Sequence, residues 1–287
     1  MSLWRRARPA GSTAFVLSGG GTFGASQVGM LEALTEAGII ADVVIGVSVG
    51  ALNGAGYAAC PDRSGVAELA RLWRGLTADR IYPRDRMHGP WRYFQSRPSV
   101  YSPEGLRSVI SEFLPYRDLA DASVPVHVVA AALPGVTERW FDRGPAVDVL
   151  AASAALPGLY PPVTLEGEQL IDGGVVDNVP IRRAVELGAR RIFVLLAAPN
   201  DRVWPDRPFR MILEAFAVAH RARFLRDLAD VPAGVDVTVI APGKVPAGDF
   251  RDFHHTDELL AAGREAMEAG LAAGPAPSVR AALALAG

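Results

Sequence analysis

Short apolar runs and helical spacings alternate along the chain, and that alternation sets the first expectations. TAFVL at 13–17 has the length and composition of a strand, and GASQVGMLEALTEA at 24–37 reads as a helix ended by Gly38. DVVI at 42–45 predicts a second strand. Residues 49–59 predict a helix whose many Gly and Ala let it pack close to a sheet. VAELARLWRGL at 66–76 spaces its apolar residues at a period near 3.6 and predicts a third helix. Between 79 and 101 the pattern fails: DRIYPRDRMHGPWRYFQSRPSVY mixes Arg, Pro and aromatic residues in a long irregular excursion of the kind used for lids and binding loops. Ser102-Pro103 then supplies an N-cap and a first helical position for a helix to about Leu114. Strands follow at 125–132 and 137–142, a helix near 145–153 and a short strand at 169–171. Helix 180–187, strand 191–197, helix 209–229, strand 235–240 and helix 256–270 complete the series. Strands alternating with helices predict a mainly parallel sheet covered on both faces, in one domain over 13–270. An extension at 1–12 precedes it and an Ala-rich tail at 271–287 follows.

Composition narrows the function classes. Half of the 287 residues are hydrophobic, enough for a sizeable core, and the formal net charge of −2 argues against a nucleic-acid partner. A single cysteine, Cys60, excludes an internal disulfide framework and a cysteine-cluster metal site. The five histidines include no His-x-x-x-His pair, and the adjacent His254 and His255 read as loop surface, so no metal is expected. The basic N-terminus lacks the apolar segment of a secretory signal. Residues 43–61 carry no charge and are long enough to raise the question of a membrane span. Their glycines, Asn53, Pro61 and scarcity of Leu and Ile fit a buried strand, sharp turn and small-residue helix better. A soluble cytoplasmic protein is expected, with peripheral membrane contact left open. The Arg- and aromatic-rich segments at 79–101 and 200–210 are the candidates for such contact.

Three stretches carry chemistry. LSGGGTFGASQVG lies where a strand passes into a helix, and Gly19, Gly21 and Gly24 match the dinucleotide G-x-G-x-x-G spacing. That reading also needs an acidic residue at the end of the second strand, yet Asp42 stands at its beginning. The glycines can instead turn backbone N–H groups outward at a helix N-terminus to hold an anion, a developing oxyanion included. The second stretch, Gly46-Val47-Ser48-Val49-Gly50, is a G-x-S-x-G between a strand and a helix, the context of a nucleophile elbow. A buried serine in a Gly-rich turn would look the same. The late histidines, His220 in a helical AVAHRARF and His254-His255 in a charged stretch, do not resemble a catalytic loop, and the elbow comes too early in the chain for an ordinary α/β-hydrolase. The third stretch is EGEQLIDGGVVDNVPIRRAVELGARRIFVL. Asp172 follows a short strand, and Gly173-Gly174 leave space around its carboxylate. A positioned carboxylate can activate a serine directly, whereas a lone Asp-Gly reads equally as a turn.

SGGGTFG at 18–24, GVSVG at 46–50, ASAALPGLYPP at 152–162 and DGGVVDNVP at 172–180, in this order, resemble the patatin-like phospholipase family over roughly residues 13–197. The resemblance implies a three-layer α/β/α fold and hydrolysis of acyl-ester lipids, phospholipids among them, by a Ser–Asp dyad without histidine, metal or cofactor. Carried onto this chain, Ser48 is the nucleophile and Asp172 the base. The N–H groups of Gly19, Gly20 and Gly21, with Val49, form the oxyanion hole, and Gly24, Gly46, Gly50, Gly173 and Gly174 support the motifs. Two positions depart from the pattern. Phe23 stands where many members carry Arg or Lys, and Ser18 replaces the Asp that opens the plant form of the loop. An unperturbed aspartate would keep such a dyad active at mildly acidic pH, below the range of a His-based triad. Two rivals stay open: a dinucleotide-binding protein indifferent to loss of Ser48, and a catalytically silent member of the same fold.

Overall fold

A computed structural model describes residues 12–83, 99–135, 137–198, 208–245 and 252–274. The strands are β1 (Thr13–Leu17), β2 (Val43–Gly46), β3 (Val126–Leu133), β4 (Thr137–Phe141), β5 (Val163–Leu165), β6 (Glu168–Asp172), β7 (Arg191–Leu195) and β8 (Asp236–Ile240). They form one mixed, mostly parallel sheet in the order β5-β6-β3-β2-β1-β7-β8, with β4 also paired to β3. Parallel pairing runs from β3 through β2, β1 and β7 to β8, while β4, β5 and β6 are antiparallel to their neighbours. Short connections explain two of the antiparallel pairs, β3–β4 and β5–β6, since a few residues can reverse a chain but cannot complete a parallel crossover. Between β5 and β6 the reversal takes two residues, Glu166 and Gly167, both at positive φ (52° and 82°), which suits the twist of a hairpin.

Each central strand is apolar on both sides, and the structure shows where each side goes. Phe15, Leu17, Val44, Phe193 and Leu195 point into one core; Ala14, Val16, Val43, Ile45, Ile192 and Val194 point into the other. The first core is roofed by α1 (Gly24–Glu36), α2 (Val49–Ala59), α3 (Arg63–Arg74), α5 (Glu104–Phe113), α6 (Ala146–Ser153) and α9 (Thr256–Ala273). The second is covered by α7 (Ile181–Glu186) and α8 (Pro208–Ala229), through residues such as Ile181, Ala184, Phe224 and Leu228. This is the three-layer α/β/α arrangement. Each large side chain so buried contributes about 1.5–3 kcal/mol of transfer free energy.

Several boundaries differ from the pattern-based expectation for local reasons. Helix α3 begins at Arg63 rather than 66, because the Asp62 carboxylate caps it, accepting from the N–H groups of Ser64 (2.8 Å) and Gly65 (3.0 Å). Helix α9 runs on to Ala273, past residue 270, and stops at Gly274 with φ 75°. The uncharged stretch 43–61 is strand β2, the elbow and helix α2. Among the described residues no helix is long and apolar enough to cross a membrane. The excursion opens with a single helical turn, α4 (Ala78–Ile81), and its flanking Tyr82 and Tyr101 pack against Tyr160, with ring centroids 5.9 and 6.5 Å from it. The lid and membrane-contact readings of 79–101 and 200–210 fall mainly on residues 84–98 and 199–207, outside the described residues, as do 1–11 and 275–287.

Candidate active site

Ser48 occupies the turn between β2 and α2 with φ 53° and ψ −128°, a conformation that residues with a Cβ avoid at a cost of about 1–3 kcal/mol. Crowding of backbone on backbone imposes it. A Cβ on Gly46 would lie 2.6 Å from the carbonyl oxygen of Gly50 and 2.7 Å from Cα of Ala51. One on Gly50 would overlap the carbonyl oxygen of Leu17 and lie 2.6 Å from that of Ser18. The helix thus starts so close to the end of β1 that only glycine fits on either side of the serine. Val47 and Val49 are buried, and Ser48 is half-buried.

Asp172 arrives from the other part of the sheet. Along β3, Gly46 pairs with Val128 and Asp172 with Ala130, so the ends of parallel β2 and antiparallel β6 meet over three residues of one strand. Gly174 N–H donates to the Asp172 carboxylate at 2.7 Å, and the Ser48 hydroxyl stands close enough to lower the pKa of that carboxyl. Only 3% of Asp172 is exposed. Burial pushes its carboxyl up to about 6 against the opposing pull of both groups. The expectation of an unperturbed aspartate is therefore corrected: desolvation moves this group into the histidine range, and a pH profile alone does not separate the two.

The glycine-rich loop lies beside the serine. It leaves β1 at Ser18 and enters α1 through a 3₁₀ turn over Gly21–Phe23. A Cβ on Gly19 would overlap Oδ1 of Asn178 and lie 3.4 Å from Cβ of Ser48; one on Gly20 would lie 2.5 Å from Cβ of Ala197. Gly21 has φ 59°. Gly24 fits under Val49 and Trp73, and Phe23, at the position of the usual cation, packs on the core. Gly19 N–H donates to the carbonyl of Asn178 at 3.3 Å, so it already has a partner. The amides of Gly21 and Val49 stand at the first positions of helical turns, where a helix offers its N–H groups no internal acceptor.

Buried polar groups hold this loop from behind. The Ser18 hydroxyl accepts from Ala197 N–H (2.9 Å) and donates to the Gly19 carbonyl (3.1 Å). Gln27 Nε2 donates to the carbonyls of Ser18 and Leu195, at 2.9 and 3.0 Å. Asn53 Nδ2 donates to Gln27 Oε1, and Trp73 Nε1 to Asn53 Oδ1. Three helices are thereby tied to the first carbonyl of the loop.

Sequence reasoning overlooked four side chains near the site. Ser153, at the end of α6, accepts the N–H of Ser48 on its Oγ at 3.0 Å and donates to the Val129 carbonyl at 2.7 Å. Asn178 wedges between Gly19 and Gly174. Beside it, Asp177 is buried and meets the guanidinium of Arg223 at 3.2 Å. That guanidinium also holds Glu138 (2.6 Å), Asp227 (3.3 Å) and the Val176 carbonyl (2.6 Å). Burial pushes the Asp177 carboxyl up to about 7, against the attraction of Arg223. Asp177 and Asn178 stood inside a quoted motif, and Ser153 inside another, but nothing in their residue types marked a role. Of the described histidines, His127 lies within β3 opposite Ile45, His220 on α8 beside Phe216, and His255 beside Glu258 at the start of α9. Asp42 accepts from Thr13 N–H at 2.7 Å, at the sheet edge opposite the glycine loop, which removes the ribose anchor of a dinucleotide site.

Fold and site together define an α/β protein with a serine held in a strand–helix elbow against a buried carboxylate. The sequence model of the patatin-like phospholipase family matches residues 15–185, and the chain belongs to that family. It is 30% identical over 197 residues to mouse (Mus musculus) patatin-like phospholipase domain-containing protein 7, covering 66% of this chain and 14% of the relative. With the lysophospholipase nte1 of Aspergillus terreus it shares 32% over 199 residues, 68% of this chain and 12% of that one. These relatives are thus several times longer than the part they share. Among solved structures, VipD from Legionella pneumophila superposes with a TM-score of 0.53 at 15% identity, over 93% of this chain and 68% of that one, a likeness of fold.

Proposed function

We propose that the protein is a lipid acyl-ester hydrolase in which Ser48 is the nucleophile and Asp172 the general base. The observation that carries this reading is the placement of the Ser48 hydroxyl, at a strained elbow, beside the buried carboxyl of Asp172. Asp172 takes the proton as Ser48 Oγ bonds to the ester carbonyl carbon, and the carbonyl oxygen becomes an oxyanion. Gly20, Gly21 and Val49 N–H groups hold that oxyanion; Gly19 keeps its bond to Asn178 and anchors the loop. One such donor is worth on the order of 10²–10³ in rate. The C–O bond to the alcohol or lysolipid then breaks, and the departing oxygen receives the proton from Asp172. Water next gives a proton to Asp172 as its oxygen attacks the acyl carbon. The fatty acid leaves and the proton returns to Ser48.

Family membership and the names of the relatives support an acyl-ester lipid, phospholipids included, as substrate. Substrates of this class lie in bilayers, so the protein works peripherally at a membrane surface. The test is hydrolysis of a short p-nitrophenyl ester and of phospholipid vesicles by wild type, Ser48→Ala and Asp172→Asn. Wild type turns over at least one substrate, both folded variants lose more than about 10²-fold, and kcat/KM rises with pH through about 6 as Asp172 ionises. Inert wild type overturns the proposal and favours the catalytically silent alternative, and full activity in Ser48→Ala overturns Ser48 as the nucleophile.

A further inference from the structure

The segment Ser153-Ala154-Ala155, where α6 ends, touches both proposed catalytic residues. The Ser153 hydroxyl accepts the Ser48 N–H at 3.0 Å, and two residues on, the Ala155 carbonyl accepts the Asp172 N–H at 3.0 Å. Ser153 is wholly buried and Ala155 nearly so. Both halves of the site also rest on one peptide of β3. The Val129 carbonyl takes the Ser153 proton at 2.7 Å, and a Cβ on Gly173 would overlap the same oxygen.

From this we infer that Ser153 is a positioning residue for the reaction: with Ala155 it sets the separation of Ser48 and Asp172. The inference rests on the assignment of those two residues made above. Ser153 has one hydroxyl proton, and the Val129 carbonyl holds it. The hydroxyl is therefore not available as a proton donor or nucleophile and acts through its lone pair on the Ser48 backbone. That acceptor is what the elbow needs. At φ 53° and ψ −128° the Ser48 N–H faces into the protein, and a buried donor without a partner is a strong drive to rearrange. Relaxing the elbow swings Oγ away from the carboxylate of Asp172, whose backbone N–H stays pinned to the Ala155 carbonyl. The chemical step is sensitive to such a shift, because displacements of about 1 Å at a reacting centre cost as much as 10²-fold.

The experiment compares wild type, Ser153→Ala, Ser153→Cys and Ser48→Ala, all as the full chain. It measures kcat and KM on a short p-nitrophenyl ester, and both the stoichiometry and the rate of covalent labelling by an alkyl fluorophosphonate. Labelling stoichiometry counts competent sites, so a merely structural defect lowers the stoichiometry, while a positioning defect slows reaction at full stoichiometry. Expected for Ser153→Ala is a kcat per labelled site lowered about 10- to 100-fold, KM within about twofold of wild type, and labelling slowed in parallel. Ser153→Cys keeps the shape with a slightly larger atom that is a weak acceptor, and falls between the two. If alanine prevents folding, the cysteine variant decides by the same per-site rate. Wild-type kcat per labelled site in these variants, with Ser48→Ala dead, overturns the inference. Activity retained by Ser48→Ala would instead overturn the dyad on which it stands.

Discussion

The two parts of the sheet place their proposed catalytic groups by different means. In the parallel part, β1 and β2 deliver the glycine loop and the elbow, and the geometry is imposed by contact. Gly46, Gly50, Gly19 and Gly20 each sit where a side chain would strike a neighbour. In the antiparallel part, Asp172 is placed by hydrogen bonds and charge: to Gly174, to Ala155, and through the turn at 173–178 to the Asp177–Arg223 cluster. The glycines flanking the serine, Gly46 and Gly50, stand within two residues of the group they place. On the other side the longer bonds come from Ala155, just past α6, to Asp172 itself and from Arg223 of α8 to Asp177. The contrast also divides the energetics, since one side holds backbone strain and the other a desolvated charge.

Substitutions that touch one part and not the other sharpen the comparison. The largest effect is expected on the contact side. In Gly50→Ala the new methyl meets the carbonyls of Leu17 and Ser18, both backbone, so the helix must move. Stability should fall by about 3 kcal/mol, read from denaturant unfolding, together with loss of hydrolysis. A variant as stable as wild type would show that the elbow is not set by crowding.

Asp172→Asn tests the charged side through pH. The folded carboxyl titrates near 6 and its ordinary value is 3.8. The native state therefore binds the proton more tightly than the unfolded chain, and wild-type stability falls as pH rises from about 4 to about 6, then stays low. The asparagine variant lacks this loss. It should match wild type near pH 4 and exceed it by up to about 3 kcal/mol at pH 8, measured by thermal unfolding across pH, while remaining inactive. A variant less stable than wild type at pH 8 would mean that the bond from Gly174 and the pull of the nearby Ser48 hydroxyl outweigh the burial.

The smallest effect belongs to Ser48→Gly. Glycine accepts φ 53°, ψ −128° without strain but brings more freedom to the unfolded chain, leaving a net gain of about 1 kcal/mol with no hydrolysis. A lower melting temperature would break the view that the elbow is strained.

Legibility followed the same division. Strand, G-x-S-x-G and helix announced the elbow because steric demands act between near neighbours, and the apolar runs of β1, β2 and β7 were visible because both faces are buried. The hairpin strand β5 went unseen: three residues carry little pattern, and Glu166 is an unusual occupant of a positive-φ turn. Asp172 stood out by family resemblance, whereas its raised pKa was invisible, being a product of burial by segments far along the chain. Ser153 carries no local mark at all, since a buried serine acquires a task only when another backbone N–H is brought to it.

That dependence has a consequence for how the site comes into being. The Ser48 N–H is held from 105 residues further along, and the glycine loop is held through Ser18 by an amide 179 residues further along. Contacts of such span close late, after the intervening strands have been placed. The serine and its glycines are therefore made before the residues that hold them. The proposed nucleophile acquires its partners only once β7 and Ala197 have taken their places, and until then the growing chain carries it in an unarmed form.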